Sequence, residues 1–102
     1  ARKKRLTPRE INPSWPEPIQ GIDSPHELAS ERARKIASEL LECIESSGCT
    51  RRAWAAEHGV DHTTISRLVN GESWPDIYTV TILEEAVKDL SDKKLTEQHT
   101  VD

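Results

Sequence analysis

The 102-residue sequence predicts an all-α fold: four helices preceded by an extended amino-terminal arm. Three observations carry that expectation. Apolar residues recur with a 3.6-residue period over 25–47 and again over 77–90. Between them lie two short helical stretches, 51–58 and 62–69, separated by Gly59-Val60-Asp61. Residues suited to capping stand at each start, and Gly48, Gly59 and Asn70-Gly71 stand where helices stop.

Residues 1–23 read as the arm. Arg2, Lys3, Lys4 and Arg5 form a basic cluster, and Pro8, Pro13, Pro16 and Pro18 favour extended backbone over a long helix. Trp15 and Ile19 are suited to anchor the arm on the domain. Residues 24–90 form the domain itself. Its first helix opens on Ser24-Pro25-His26-Glu27, a capping box with proline at the first helical position. Ala29, Ala33, Ile36, Ala37, Leu40, Leu41 and Ile44 supply its inward face, and Gly48 stops it.

Thr50 caps the second helix, and Cys49 with Trp54 forms a hydrophobic staple. Gly59 permits the left-handed backbone that ends it. Asp61 caps the third helix, with Val60 and Ile65 as its staple, and Ile65, Leu68 and Val69 face inward. Asp76 caps the fourth, about 77–90, with Ile77, Val80, Leu83, Val87 and Leu90 inward. Residues 91–102 are polar and aperiodic and read as a frayed tail.

The chain is 34% hydrophobic with no Phe or Met, so its core is small and built from Leu, Ile, Val and Ala, with Trp54 among the core residues. No apolar run approaches a membrane span or a signal peptide. Cys43 and Cys49 make no disulfide framework, and a reducing compartment is the simpler reading. Ala1 reads as the residue left by removal of an initiator Met, in keeping with a cytoplasmic chain. Net charge is −4, yet its distribution is uneven. Residues 1–24 carry +2 and residues 48–71 carry +1, whereas residues 72–102 carry −5. A polyanion meets local potential rather than total charge, so the acidic balance does not exclude a nucleic-acid partner.

The third helix begins with small polar side chains and carries one arginine, which is the chemistry needed to enter a DNA major groove. Its outward residues His62, Thr63, Ser66 and Arg67 are the candidate base contacts. Arg67 can make a bidentate pair with guanine, Thr63 can offer its hydroxyl or its methyl, and His62 can donate or accept. Arg52 reads as a phosphate contact or a solvated side chain. The Arg2–Arg5 cluster has three readings: a DNA-tracking arm (favoured), a solubilising tail or a nuclear address.

The run Ala55, Gly59-Val60, Thr64-Ile65-Ser66-Arg67, Asn70-Gly71 and Pro75 resembles the Cro and phage-repressor (XRE-like) helix-turn-helix family, densely over 50–76 and more weakly over about 25–90. The resemblance implies a four-helix Cro/phage-repressor-like domain. It places His62, Thr63 and Arg67 among base-contacting positions. Arg51 falls where a phosphate-clamping glutamine is usual, and Thr64 and Asn70 match backbone-touching positions. Thr50 joins Arg51, Arg52, Thr64 and Asn70 as the expected backbone contacts. Glu72 and Asp76 depart from the family's basic loop.

Cys43, Cys49, His58 and His62 are four possible zinc ligands, but their spacing matches a zinc finger only at the His pair, and the helices already account for them. No metal or cofactor is expected. No glycine-rich phosphate loop, nucleophile elbow or paired-acid site is present, so an enzyme is not expected. The expected function is a sequence-specific double-stranded DNA-binding repressor of the phage immunity type, acting by operator occupancy on the host nucleoid in the bacterial cytoplasm. Two alternatives stay open: an antitoxin-type autorepressor with a protein partner, and an interaction module of the same fold. A homodimer on a palindrome and a monomer on an asymmetric site are both compatible with the sequence.

Overall fold

A computed structural model of the chain describes residues 5–99, with side chains described over 5–89. It is all-helical among the described residues, with five helices rather than four: α1 (Pro8–Ile11), α2 (Pro25–Ser47), α3 (Arg51–His58), α4 (His62–Val69) and α5 (Ile77–His99). α2 packs against all four of the others, and α4 also packs on α3. Leu40, Cys43 and Ile44 of α2, Trp54 and Ala55 of α3, Ile65 and Leu68 of α4, and Leu83 and Ala86 of α5 make one core. No helix among the described residues is long and apolar enough to cross a membrane.

The caps of the central helices are chemically ordinary. Glu27 N–H donates to Ser24 Oγ at 3.2 Å, Ala53 N–H to Thr50 Oγ1 at 3.1 Å, and Thr63 N–H to Asp61 Oδ1 at 2.9 Å. The box at Ser24 differs from its expected form, because the Glu27 carboxylate reaches the backbone N–H of Asp23 rather than that of Ser24. Thr79 N–H donates to Asp76 Oδ1 at 2.7 Å, starting α5, and this bond holds the Asp76 carboxyl below its usual range. Cys49 and Val60 lie half-buried against the core, as the two staples require.

The extended arm is corrected by the structure. Residues 7–19 are folded onto the domain. α1 is a single turn closed by a reciprocal box, with Glu10 N–H donating to Thr7 Oγ1 and Thr7 N–H to the Glu10 carboxylate. Pro8 stands at its first position, where a missing N–H costs nothing. Pro8 is buried, and its carbonyl accepts from the fully buried Ser30 hydroxyl of α2 at 2.8 Å. Asn12, also buried, ties the next turn by donating to the Glu17 carbonyl and accepting from Ser14 N–H. The Trp15–Pro16 peptide bond is cis.

The two anchors tie this strap to different helices. Ile19 N–H donates to the Glu31 carboxylate, which also holds Arg34 through two bonds of 2.7 and 2.6 Å. Trp15 Nε1 donates to the Val69 carbonyl at 3.0 Å. That carbonyl belongs to the last turn of α4, whose four terminal acceptors lack helical partners. Gly71 N–H serves Leu68, and Glu72 N–H serves Arg67, the pairing of a Schellman ending. Asn70 N–H serves Ser66, so the indole takes the remaining acceptor. Gly71 itself has φ +72°, and a Cβ there would stand 2.7 Å from the Trp15 ring.

Two helical faces also differ from expectation. Ala29 of α2 is exposed, because the arm docks on Ser30 and Glu31 instead. In α5 the inward face is Thr79, Leu83 and Ala86, with Ile82 half-buried. Ile77 is 85% exposed and Val87 37% exposed, while the side chain of Leu90 lies outside the described residues. α5 has two apolar stripes, and the one carrying small Ala86 is the one packed inward. The helix also continues to His99, through most of the segment expected as a frayed tail.

Two tests follow from this packing. Gly71→Ala combines a left-handed backbone with a clash against Trp15, and urea unfolding should show a loss of about 2–4 kcal/mol. In a Trp15→Ala background the added loss should shrink to about 1–2 kcal/mol, the part left by the backbone and by the Arg9 Cβ 3.0 Å away; equal losses in both backgrounds would remove the ring from the account. The second test concerns Glu31, whose carboxyl is held below its ordinary 4.5 by the Arg34 hydrogen bonds, against opposing desolvation and with help from Ile19 N–H. A lowered carboxylate pKa stabilises fully above the ordinary value and loses that contribution as pH falls through the lowered one. Glu31→Gln should therefore be less stable by about 1–2 kcal/mol near neutrality. The gap should close under acid conditions, and a gap unchanged by pH would show that charge plays no part.

Candidate nucleic-acid interface

α4 is held from beneath by Ile65, fully buried, and Leu68, 4% exposed. Residues three or four apart share a helical face, so the opposite side carries Thr63, Arg67 and Asn70 in one line. All three are exposed. His62 and Ser66 lie one row over and are half-buried, as is Thr64. Thus Thr63 and Arg67 are presented outward together, with His62 and Ser66 on a flank that is partly covered.

Arg51 and Arg52, in the first turn of α3, are exposed. So is Thr50, whose oxygen is engaged by Ala53 N–H while its O–H hydrogen remains able to donate. Among the described residues the one ion pair is Arg34–Glu31, so Arg51, Arg52 and Arg67 have no carboxylate partner among those residues. The Asp61 carboxylate sits at the start of α4 but is turned onto Thr63 N–H, where it serves the helix end. The turn between α3 and α4 is tight. Gly59 has φ +70°, and Val60 N–H returns to the Ala55 carbonyl at 2.9 Å.

Of the basic cluster, Arg2, Lys3 and Lys4 lie outside the described residues, and Arg5 is exposed. Leu6 follows, and its carbonyl accepts from Trp74 Nε1 at 2.8 Å. The chain therefore leaves the cluster beside the loop that follows α4.

The four possible zinc ligands are not brought together. Cys43 is in the core, where burial pushes its thiol up despite a hydrogen bond from the Trp54 side chain. The His58 ring stacks on Trp54, centroids 4.1 Å apart, and its Nδ1 is 2.9 Å from the Trp54 carbonyl. Among the described residues no group of three or more His, Cys, Asp or Glu is arranged to hold a metal ion.

Two features of the interface were not read from the sequence. One is the strap that closes the end of α4, whose signal was the Thr7-Pro8-Arg9-Glu10 box. The other is Arg9 itself, exposed next to Gly71. Comparison of the chain with family models, curated proteins and solved structures gave no match.

Proposed function

We propose that the protein is a sequence-specific double-stranded DNA-binding transcriptional repressor of the Cro and phage-repressor helix-turn-helix kind, acting by operator occupancy. The observation that carries this reading is the exposed line Thr63–Arg67–Asn70 on a short helix seated by Ile65 and Leu68. A rigid helix with a polar outward row is what major-groove reading needs, because base discrimination depends on side chains held at a constant depth. Arg67 would pair with a guanine edge and Thr63 with a neighbouring base. His62 and Ser66, half-buried, would read from the flank.

Phosphate contacts would come from Thr50, Arg51 and Arg52 at the start of α3, and from Thr64 and Asn70 on α4. Such contacts set register and carry most of the salt dependence, but no sequence information. Two copies on a palindrome would set their α4 helices about 34–36 Å apart, one turn of the duplex.

A protein-partner reading competes at the start of α5. Ile77 is 85% exposed and Tyr78 59% exposed, on an element of acidic balance. The two readings part on salt. DNA binding weakens steeply as salt rises, whereas an apolar contact does not.

Selection from random duplexes, followed by footprinting, tests the proposal directly and reports site, symmetry and spacing. On the selected site, Arg67→Ala should cost about 1–3 kcal/mol and relax preference at one base pair. An unchanged base profile would take Arg67 out of the reading role. Deleting residues 1–5, which stops short of the Leu6 anchor, should weaken binding to every duplex and flatten the salt slope if the basic cluster tracks the backbone. A slope equal to that of the intact chain would place the cluster off the DNA.

A further inference from the structure

We propose that Arg9, carried by the docked strap, is a phosphate-binding residue at the end of α4. The inference rests on the DNA-binding reading above and adds to it a contact from outside the α3–α4 pair. Arg9 N–H donates to the Gly71 carbonyl at 2.9 Å. Its Cβ lies 3.0 Å from where a Cβ on Gly71 would stand. The Arg9 side chain therefore leaves the surface beside Gly71, just past the end of the helix that carries Arg67.

The position is built rather than incidental. Pro8 is buried with its carbonyl on Ser30, Thr7 and Glu10 close the turn that carries Arg9, and Trp15 holds the same end of α4. A cation on a pinned backbone loses less freedom on binding than one on a free tail. The Arg9 guanidinium is exposed and has no ion pair among the described residues. The loop that follows α4, residues 71–76, contains Glu72 and Asp76 and no basic residue. Arg9 thus brings to that end of the helix the positive charge that the loop lacks. A guanidinium offers a planar fork of donors matched to two phosphate oxygens. A phosphate contact of this kind adds affinity without base preference.

The test uses the full chain, with Arg9→Gln and Arg9→Met as neutral variants and Arg9→Lys as the charge-retaining one. Each keeps the backbone N–H that bonds Gly71, and thermal melts monitor folding. Dissociation constants are measured between 50 and 200 mM salt on a duplex recovered from the random pool and on an unrelated duplex. Both neutral variants should lose affinity by similar factors on the two duplexes. Their slope of log K against log salt should fall by about 0.9, and Arg9→Lys should keep the slope of the parent. If the parent binds while the neutral variants keep its slope, or if they change base preference, Arg9 is not a phosphate contact. If the parent binds neither duplex, the DNA-binding reading fails, and this inference falls with it.

Discussion

The seat of the Trp15 ring on Gly71 is the constraint on which the rest of the architecture depends. Gly71 has no side chain and a positive φ, so the chain can turn sharply off α4 and leave a flat place for an indole. The indole N–H then satisfies the Val69 carbonyl, an acceptor the Schellman pairing leaves over. From this one contact the strap is drawn across α2, which buries Pro8 and gives the Ser30 hydroxyl its acceptor. A fully buried hydroxyl with no acceptor would be costly. Trp15, Gly71, Pro8 and Ser30 therefore stand as one unit, although they come from three parts of the chain.

α4 consequently has three differently employed surfaces. Its underside, Ile65 and Leu68, is core. Its carboxy-terminal end is closed by backbone and by the strap. Only the row Thr63, Arg67, Asn70 is left fully outward. Among the described residues the arginines of α3 and α4 have no ion pair, whereas Arg34 on α2 is paired with Glu31, which also accepts from the N–H of the strap residue Ile19. Charge paired within the fold and charge left exposed thus sit on different helices, despite the acidic total.

Much of this was legible in the sequence where a local rule decides the outcome. The starts at Ser24, Thr50, Asp61 and Asp76 and the stops at Gly48 and Gly59 follow from capping and backbone freedom alone. The outward place of Thr63 and Arg67 followed from the apolar spacing of Ile65 and Leu68. What was not legible depended on distant partners. Four prolines suggested extended backbone, but the Thr7–Glu10 box is a single turn that gains its worth by docking on Ser30. In α5 two apolar stripes were available, and the surface of α2 selected the one containing Thr79 and Ala86 over the one containing Ile77 and Val87. The partly covered state of His62 and Ser66 likewise reflects tertiary neighbours rather than helical period.

The strap has a consequence for the order of assembly. Its bonds join residues 22, 54 and 68 positions apart, from Ser30 to Pro8, Trp15 to Val69 and Trp74 to Leu6. The two longer ones, to Val69 and Trp74, can be rewarded only once the end of α4 stands beside the amino-terminal segment, because the cost of closing such long loops comes first. The amino-terminal segment thus closes on α4 at a larger loop-closure cost than its bond to α2 at Ser30 requires.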